Sequence, residues 1–176
     1  TVEKTALSDA EVEYMDHTSD TIYVSFPIQK SKLKNLLGAE VIIWTTTPWT
    51  IPANKALAYN KSLKYVVIQV NDKSDFNTRK IIVAKDLLKS VVEDCKINEY
   101  KIISEINGSD FDGVVCSHPF KNLGYNYDIP MLEGRFVTTE QGSGIVHCAP
   151  SHGPDDFNSV SYTHLTRPTT LSVEVA

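Results

Sequence analysis

No stretch of the 176 residues approaches the roughly 18 consecutive apolar positions that a membrane-spanning helix requires. The opening residues are charged throughout and show no secretory signal. Neither membrane insertion nor export is expected. Cysteine is scarce: Cys95, Cys116 and Cys148 form an odd set without a C-x-x-C pair. That argues against a disulfide framework and predicts reduced thiols in a cytoplasmic protein. A surplus of positive charge is lacking too. The 17 Lys and Arg face 22 Asp and Glu, a net charge of −5. Autonomous tight binding of nucleic acid draws on clustered cations that release phosphate counterions, and this composition does not supply them. A module that touches one nucleotide at the end of a strand held elsewhere remains compatible with such a surface. No internal repeat or low-complexity tract is present. The length suits one domain, able to bury roughly 70% of its unfolded surface.

What the chain does have is a succession of short strand patterns. Alternating or β-branched runs predict strands at 21–27, 40–47, 55–59, 64–71, 79–84, 100–106, 113–116 and 136–139, with a glycine-rich loop running into a strand over 142–148. Residues 32–37 form a short cationic segment, and 72–77 read as a polar turn. Apolar residues at 87, 88, 91 and 92 put one helical stripe within 85–94. Many short strands and few helices predict a mixed α/β, β-rich fold, a β-barrel-like core with peripheral helices. Residues 1–16 read as a connector and 17–158 as the domain proper. Residues 159–176 show neither a helical stripe nor a charged face and read as an off-pattern tail of non-native character.

One run stands out. In Trp44-Thr45-Thr46-Thr47-Pro48-Trp49-Thr50-Ile51-Pro52-Ala53-Asn54, an apolar strand ends in three threonines and is stopped by two prolines. Hydroxyls donate and accept hydrogen bonds, so a row of them at a rigid junction suits a small polar ligand held without fixed charge. The plainer reading is a β-branched strand end followed by a proline turn.

A second run, Gly142-Ser143-Gly144-Ile145-Val146-His147-Cys148-Ala149-Pro150-Ser151-His152-Gly153-Pro154-Asp155-Asp156-Phe157, gathers glycines, histidines and carboxylates. Three chemistries compete there. His147, His152, Asp155 and Asp156 carry metal-ligand atoms, although the H-x4-H spacing, with Pro150 inside it, is not the i, i+4 pair that a helix would present. Cys148 with His147 as base would make a nucleophile, but neighbours on a strand face opposite ways. Alternatively, His147 and an aspartate line a recognition pocket without metal or covalent chemistry. The plain structural reading makes the aspartates helix caps and His147 a satisfied core residue.

Taken together, the two runs resemble the editing domain of isoleucyl-tRNA synthetase, the connective peptide inserted into the class I catalytic fold. The segments Thr5-Ala6-Leu7-Ser8-Asp9-Ala10-Glu11-Val12-Glu13-Tyr14 and Ser117-His118-Pro119-Phe120 carry the same likeness. It extends to about Asn158, nearly nine tenths of the chain, and the tail beyond departs from the family. The sister domains for valine and leucine typically show T-T-R-P-[ED]-T, where this chain has the isoleucyl form, Thr47-Pro48-Trp49-Thr50. No H-I-G-H or K-M-S-K-S signature occurs. The resemblance therefore implies a fragment that neither activates amino acids nor binds ATP.

It also implies a reaction: hydrolysis of valine mischarged on tRNA(Ile), with isoleucine excluded. One methylene in an apolar pocket is worth only about 1–3 kcal/mol, a limit recognised for this family itself, so a second site must remove the errors. By the resemblance, Asp156 binds the α-ammonium, a charge-assisted contact. His147 helps exclude isoleucine, and Thr45, Thr46 and Thr47 surround the aminoacyl group and terminal ribose as the catalytic set with Asp156. Trp44 and Trp49 wall the pocket or stack on a base, with a core role for at least one of them an equal alternative; Asn54 holds the turn or meets substrate, and Gly144 admits close approach. No strong base is evident, and a placed water with stabilised developing charge suffices for an ester already activated by its neighbouring hydroxyl. No metal or other cofactor is expected for this step; ATP and metal belong to the catalytic core. The expected partners are the valylated 3′ end of tRNA(Ile) and the rest of the synthetase, working as a monomer. Two alternatives stay open: a metal-dependent hydrolase, and a module that binds aminoacyl-tRNA ends without turnover.

Overall fold

A computed structural model describes residues 20–71 and 78–150 of the chain. The expected connector, the polar turn at 72–77, the tail, and His152, Asp155 and Asp156 lie outside the described residues. The described residues form nine strands: β1 (Ile22–Lys30), β2 (Ala39–Thr45), β3 (Ala56–Tyr59), β4 (Lys64–Asn71), β5 (Thr78–Ala84), β6 (Tyr100–Asn107), β7 (Val115–Ser117), β8 (Asp128–Glu133) and β9 (Val146–Cys148). One α-helix, α1 (Leu88–Asp94), and several 3-10 turns lie around them. The β-rich, mixed character follows the expectation. No helix among the described residues is long and apolar enough to cross a membrane.

The strands form one sheet in the order β6-β4-β5-β2-β1-β7-β8-β3-β9. Closure is where the expectation needs correcting. The two end strands, β6 and β9, do not pair with each other, so the sheet does not close into a barrel. Toward one end, β4 and β5 lie between β6 and β2, and their β-branched runs suit pleated, buried surfaces: Val66, Val67, Ile68, Ile81, Ile82 and Val83 are all buried in the main core.

Individual elements also shift. β1 continues past Pro27 because the strand changes partners there. It pairs with β2 through Pro27↔Glu40 and then with β7 from Ile28↔Cys116, across an irregular register. A residue without an N–H fits that point of transfer. β8 is a strand that the pattern does not reveal, since Pro130 interrupts the run, yet Pro130 lies opposite Val115 in the β7 ladder. Conversely, 136–139 is not a strand. Val137 donates to the Gly134 carbonyl at 3.1 Å in a turn and packs into a small apolar cluster with Ala56, Ala58 and Cys148. The helical stripe holds, although its first turn, Lys85–Leu87, is 3-10.

Two features set up the region of interest. β2 ends at Thr45, two residues earlier than expected, and the 3-10 turn Pro48–Ala53 leads directly into β3. β9 then pairs antiparallel with β3, with Ala56 opposite Cys148 and Leu57 opposite His147. That register brings the glycine–histidine run beside the threonine turn, although about 90 residues separate them in the chain.

Candidate functional site at the threonine turn

Pro48 occupies the first position of the turn, where a missing N–H costs nothing. The N–H of Thr47 donates to Thr45 Oγ1 at 3.0 Å, and the two hydroxyls lie 3.3 Å apart. Such local hydroxyl-to-backbone bonds stop a strand and open a turn. The Thr50 hydroxyl donates to the Thr47 carbonyl at 2.8 Å and meets His147 Nε2 at 3.1 Å. On the other side of the imidazole, Asn54 Nδ2 approaches Nδ1 at 3.5 Å and donates to the Ala56 carbonyl at 3.0 Å.

These contacts are mutually consistent for one tautomer of His147. Nδ1 accepts from the Asn54 amide, so Nε2 carries the proton and donates to Thr50 Oγ1, whose own proton goes to Thr47. A chain of neutral polar groups thus runs Asn54–His147–Thr50–Thr47–Thr45. It is buried: Asn54 is 0% exposed, Thr50 5%, Thr45 6% and His147 8%. One acceptor in it is unused. Asn54 Oδ1 is enclosed and has no hydrogen-bond partner among the described residues, which in a native fold calls for an explanation.

The expected site residues fall into distinct places. Thr45, Thr47, Asn54 and His147 are brought together. Thr46 points to solvent at the same junction, and Trp49 stands 71% exposed on the turn. Trp44 is half-buried, with its indole against the backbone of Gly142 (φ +81°), where an added Cβ would lie 3.4 Å from Trp44 Cβ. Gly144 is taken up by packing. It has φ +74°, and a Cβ there would fall 2.3 Å from Ala84 Cβ. Its carbonyl accepts from the Tyr65 hydroxyl at 3.0 Å, which ties the loop before β9 to β4. Burial pushes the Tyr65 phenol up to about 12, keeping it a donor across the ordinary pH range. Cys148, adjacent to His147 on β9, is buried in the small cluster with Ala56 and Ala58, apart from the imidazole's contacts with Thr50 and Asn54. Of the four residues weighed as metal ligands, only His147 is described. Among the described residues, no group of three His, Cys, Asp or Glu side chains gathers for a metal.

Thr50 is the member that sequence reasoning did not single out. The available signal was its spacing: three residues after the hydroxyl residue that precedes a Pro-initiated turn, it faces back on the same side. A cavity of about 530 Å³ elsewhere, lined in part by Tyr23, Ile42, Arg79, Val91 and Cys95, includes none of the expected site residues.

The turn is braced from behind. His118, 1% exposed, accepts the Phe120 N–H at Nδ1 (3.1 Å), which leaves Nε2–H to donate to the Ile51 carbonyl at 3.0 Å. Burial lowers its pKa, against a raising effect of the Ile51 bond. The Tyr127 hydroxyl lies 3.0 Å from the Asn54 carbonyl and 3.3 Å from that of Pro52. Tyr125 stacks on His118 at 4.7 Å between centroids, and Lys55 Nζ sits 3.9 Å over the Tyr127 ring.

Comparison with known proteins places this arrangement. No family model matches the chain. It is 67% identical over 158 residues to the isoleucine–tRNA ligase of Pelagibacter ubique, covering 90% of this chain and 18% of that protein. It therefore spans less than a fifth of the length of such relatives. Among solved structures it resembles GlLeuRS-CP1, with a TM-score of 0.60 at 20% identity over 79% of this chain and 58% of that one. It also resembles the editing domain of the P. falciparum cytosolic leucyl-tRNA synthetase, with a TM-score of 0.53 at 16% identity over 68% and 45%. At those identities the likeness speaks to fold.

Proposed function

The chain belongs to the isoleucine–tRNA ligase family and has the fold of class I synthetase editing domains, and we propose that it hydrolyses valine from mischarged tRNA(Ile) while excluding isoleucine. The observation that supports this reading best is the meeting of the two runs. His147 Nε2 lies 3.1 Å from Thr50 Oγ1, in a buried wall of neutral donors and acceptors. Such a wall holds an uncharged ester and its water without the desolvation cost of a fixed charge.

In this reading Asp156 pairs with the α-ammonium of the aminoacyl group. Thr45, Thr46 and Thr47 surround the ester and terminal ribose, and Asn54 Oδ1 offers its unused acceptor to a donor of the substrate. His147, fixed by Thr50 and Asn54, limits the depth open to the amino-acid side chain. Trp49, on the exposed lip, meets the terminal base, and Trp44 backs the glycine loop. Water attacks the ester carbonyl, the bond from that carbon to the ribose oxygen breaks, and a proton ends on the ribose hydroxyl. Positioning and hydrogen bonds to the developing oxyanion supply the catalysis, with no metal and no covalent intermediate. The partners are the tRNA 3′ end and the remainder of the ligase, in the cytoplasm.

Deacylation of Val-tRNA(Ile) after exhaustive chelation tests the proposal. Retained turnover is the expected result. Complete loss restored by zinc would instead favour metal-assisted hydrolysis through His147 and the residues after it. Tight binding of the charged tRNA end without turnover would make the chain a recognition module.

A further inference from the structure

We infer that His118 is a positioning residue for the threonine turn: its neutral imidazole holds the Ile51 carbonyl and so sets where Thr50 and Asn54 meet His147. This rests on the reading of that turn as the hydrolytic wall. The argument begins with tautomer and burial. His118 is 1% exposed, and its Nδ1 is committed to the Phe120 N–H at 3.1 Å. Its ring cannot turn freely, since Tyr125 stacks on it and Phe26, Phe120 and Tyr127 contact it at angles. The only proton it has left is Nε2–H, aimed at the Ile51 carbonyl at 3.0 Å.

That carbonyl is the pivot of the turn. It also accepts the Asn54 N–H at 3.0 Å, so one oxygen fixes both the backbone that carries Asn54 and the imidazole behind it. Thr50 immediately precedes Ile51, and its hydroxyl must reach the Thr47 carbonyl and His147 Nε2 together. Releasing the Ile51 carbonyl frees the C-terminal half of the turn while leaving the front-face residues chemically intact. His118 therefore acts through geometry, touching neither His147 nor the threonine hydroxyls in any described contact.

The test compares two substitutions in the full-length ligase. His118→Phe keeps the ring packing and removes the donor, whereas His118→Gln returns an N–H of similar reach. The phenylalanine variant is expected to lower kcat for Val-tRNA(Ile) hydrolysis about tenfold, the effect of one buried hydrogen bond, with KM little changed. Glutamine should recover most of that loss. Hydrogen exchange supplies a readout independent of catalysis. Backbone amides of residues 50–54 should exchange about tenfold faster in the phenylalanine variant, while β4 and β5 keep their protection. Unchanged exchange at 50–54, or an equal rise in β4 and β5, overturns the inference, as does an unchanged kcat. If His118→Phe fails to fold, His118→Asn replaces it; its short amide stays near the Phe120 N–H but falls short of Ile51, and full kcat there overturns the inference. If the unsubstituted protein does not hydrolyse the ester, the functional reading fails, and the exchange pattern alone decides whether His118 positions the turn.

Discussion

On one side of the Pro48–Ala53 turn stand hydroxyls, an amide and the imidazole of His147; on the other stand the rings of His118, Tyr125 and Tyr127. Both histidines are buried and both bond to the turn, but to different parts of it. His147 engages the Thr50 and Asn54 side chains, whereas His118 engages the Ile51 backbone. The front side carries polar atoms that the described residues do not wholly consume, including Asn54 Oδ1, which has no partner among them. The rear side uses aromatic packing to hold carbonyls in place. Substitutions in front should therefore change chemistry more than stability, and substitutions behind should do the reverse or act only through geometry.

The largest effect is expected from the carboxylate proposed to hold the ammonium. Asp156→Ala should reduce Val-tRNA(Ile) deacylation about a hundredfold, the scale of a lost charge-assisted bond to the ammonium, with the melting curve unmoved. Unchanged turnover would remove Asp156 from that role. Next comes Thr50→Val, which keeps the shape of the side chain and deletes the hydroxyl bridging His147 and Thr47. Its kcat should fall about tenfold while Thr50→Ser stays near the parent, as steady-state kinetics would show. Equal activity in the valine variant would mean that the bridge is ornamental to the reaction.

The matching substitution behind is Tyr127→Phe. It removes the hydroxyl near the Asn54 and Pro52 carbonyls and should cost about 1 kcal/mol in chemical denaturation, with much less effect on turnover than Thr50→Val. A larger loss of activity than of stability would erase the distinction between the two sides.

A smaller effect follows from His118. Burial lowers its pKa in the fold, so the folded state binds fewer protons there than the unfolded state as pH falls. Its contribution is full above the ordinary imidazole value of 6.5 and shrinks as pH drops through that value toward the lowered one. Urea midpoints measured across that range should decline in the parent more steeply than in His118→Gln, and parallel curves would contradict the assignment.

How much of this could be read from the chain differs between the two sides. The front was legible because its chemistry is concentrated: four threonines and two prolines in one run, glycines and His147 in another. What the residues alone did not supply was their contact, which depends on the β3–β9 register. The rear was nearly illegible. His118, Tyr125 and Tyr127 sit in an irregular segment between β7 and β8, and the hydrogen bonds of His118 and Tyr127 go to backbone carbonyls, which leaves no side-chain signature. β8 stayed hidden because Pro130 argues against a strand, while 136–139 looked like one because Val137 and its neighbours carry β-propensity that a turn at Gly134 overrides. The β-rich sheet was legible in its many short strands, but its openness was not, since closure depends on whether the end strands meet.

The most direct test offers Val-tRNA(Ile) and Ile-tRNA(Ile) to the full-length ligase and to its His147→Ala variant, and follows both esters in single turnover. The account predicts rapid loss of valine and protection of isoleucine in the parent, with isoleucine becoming labile once the imidazole beside Thr50 is removed. Hydrolysis of both esters at equal rates by the parent, or of neither, would contradict it.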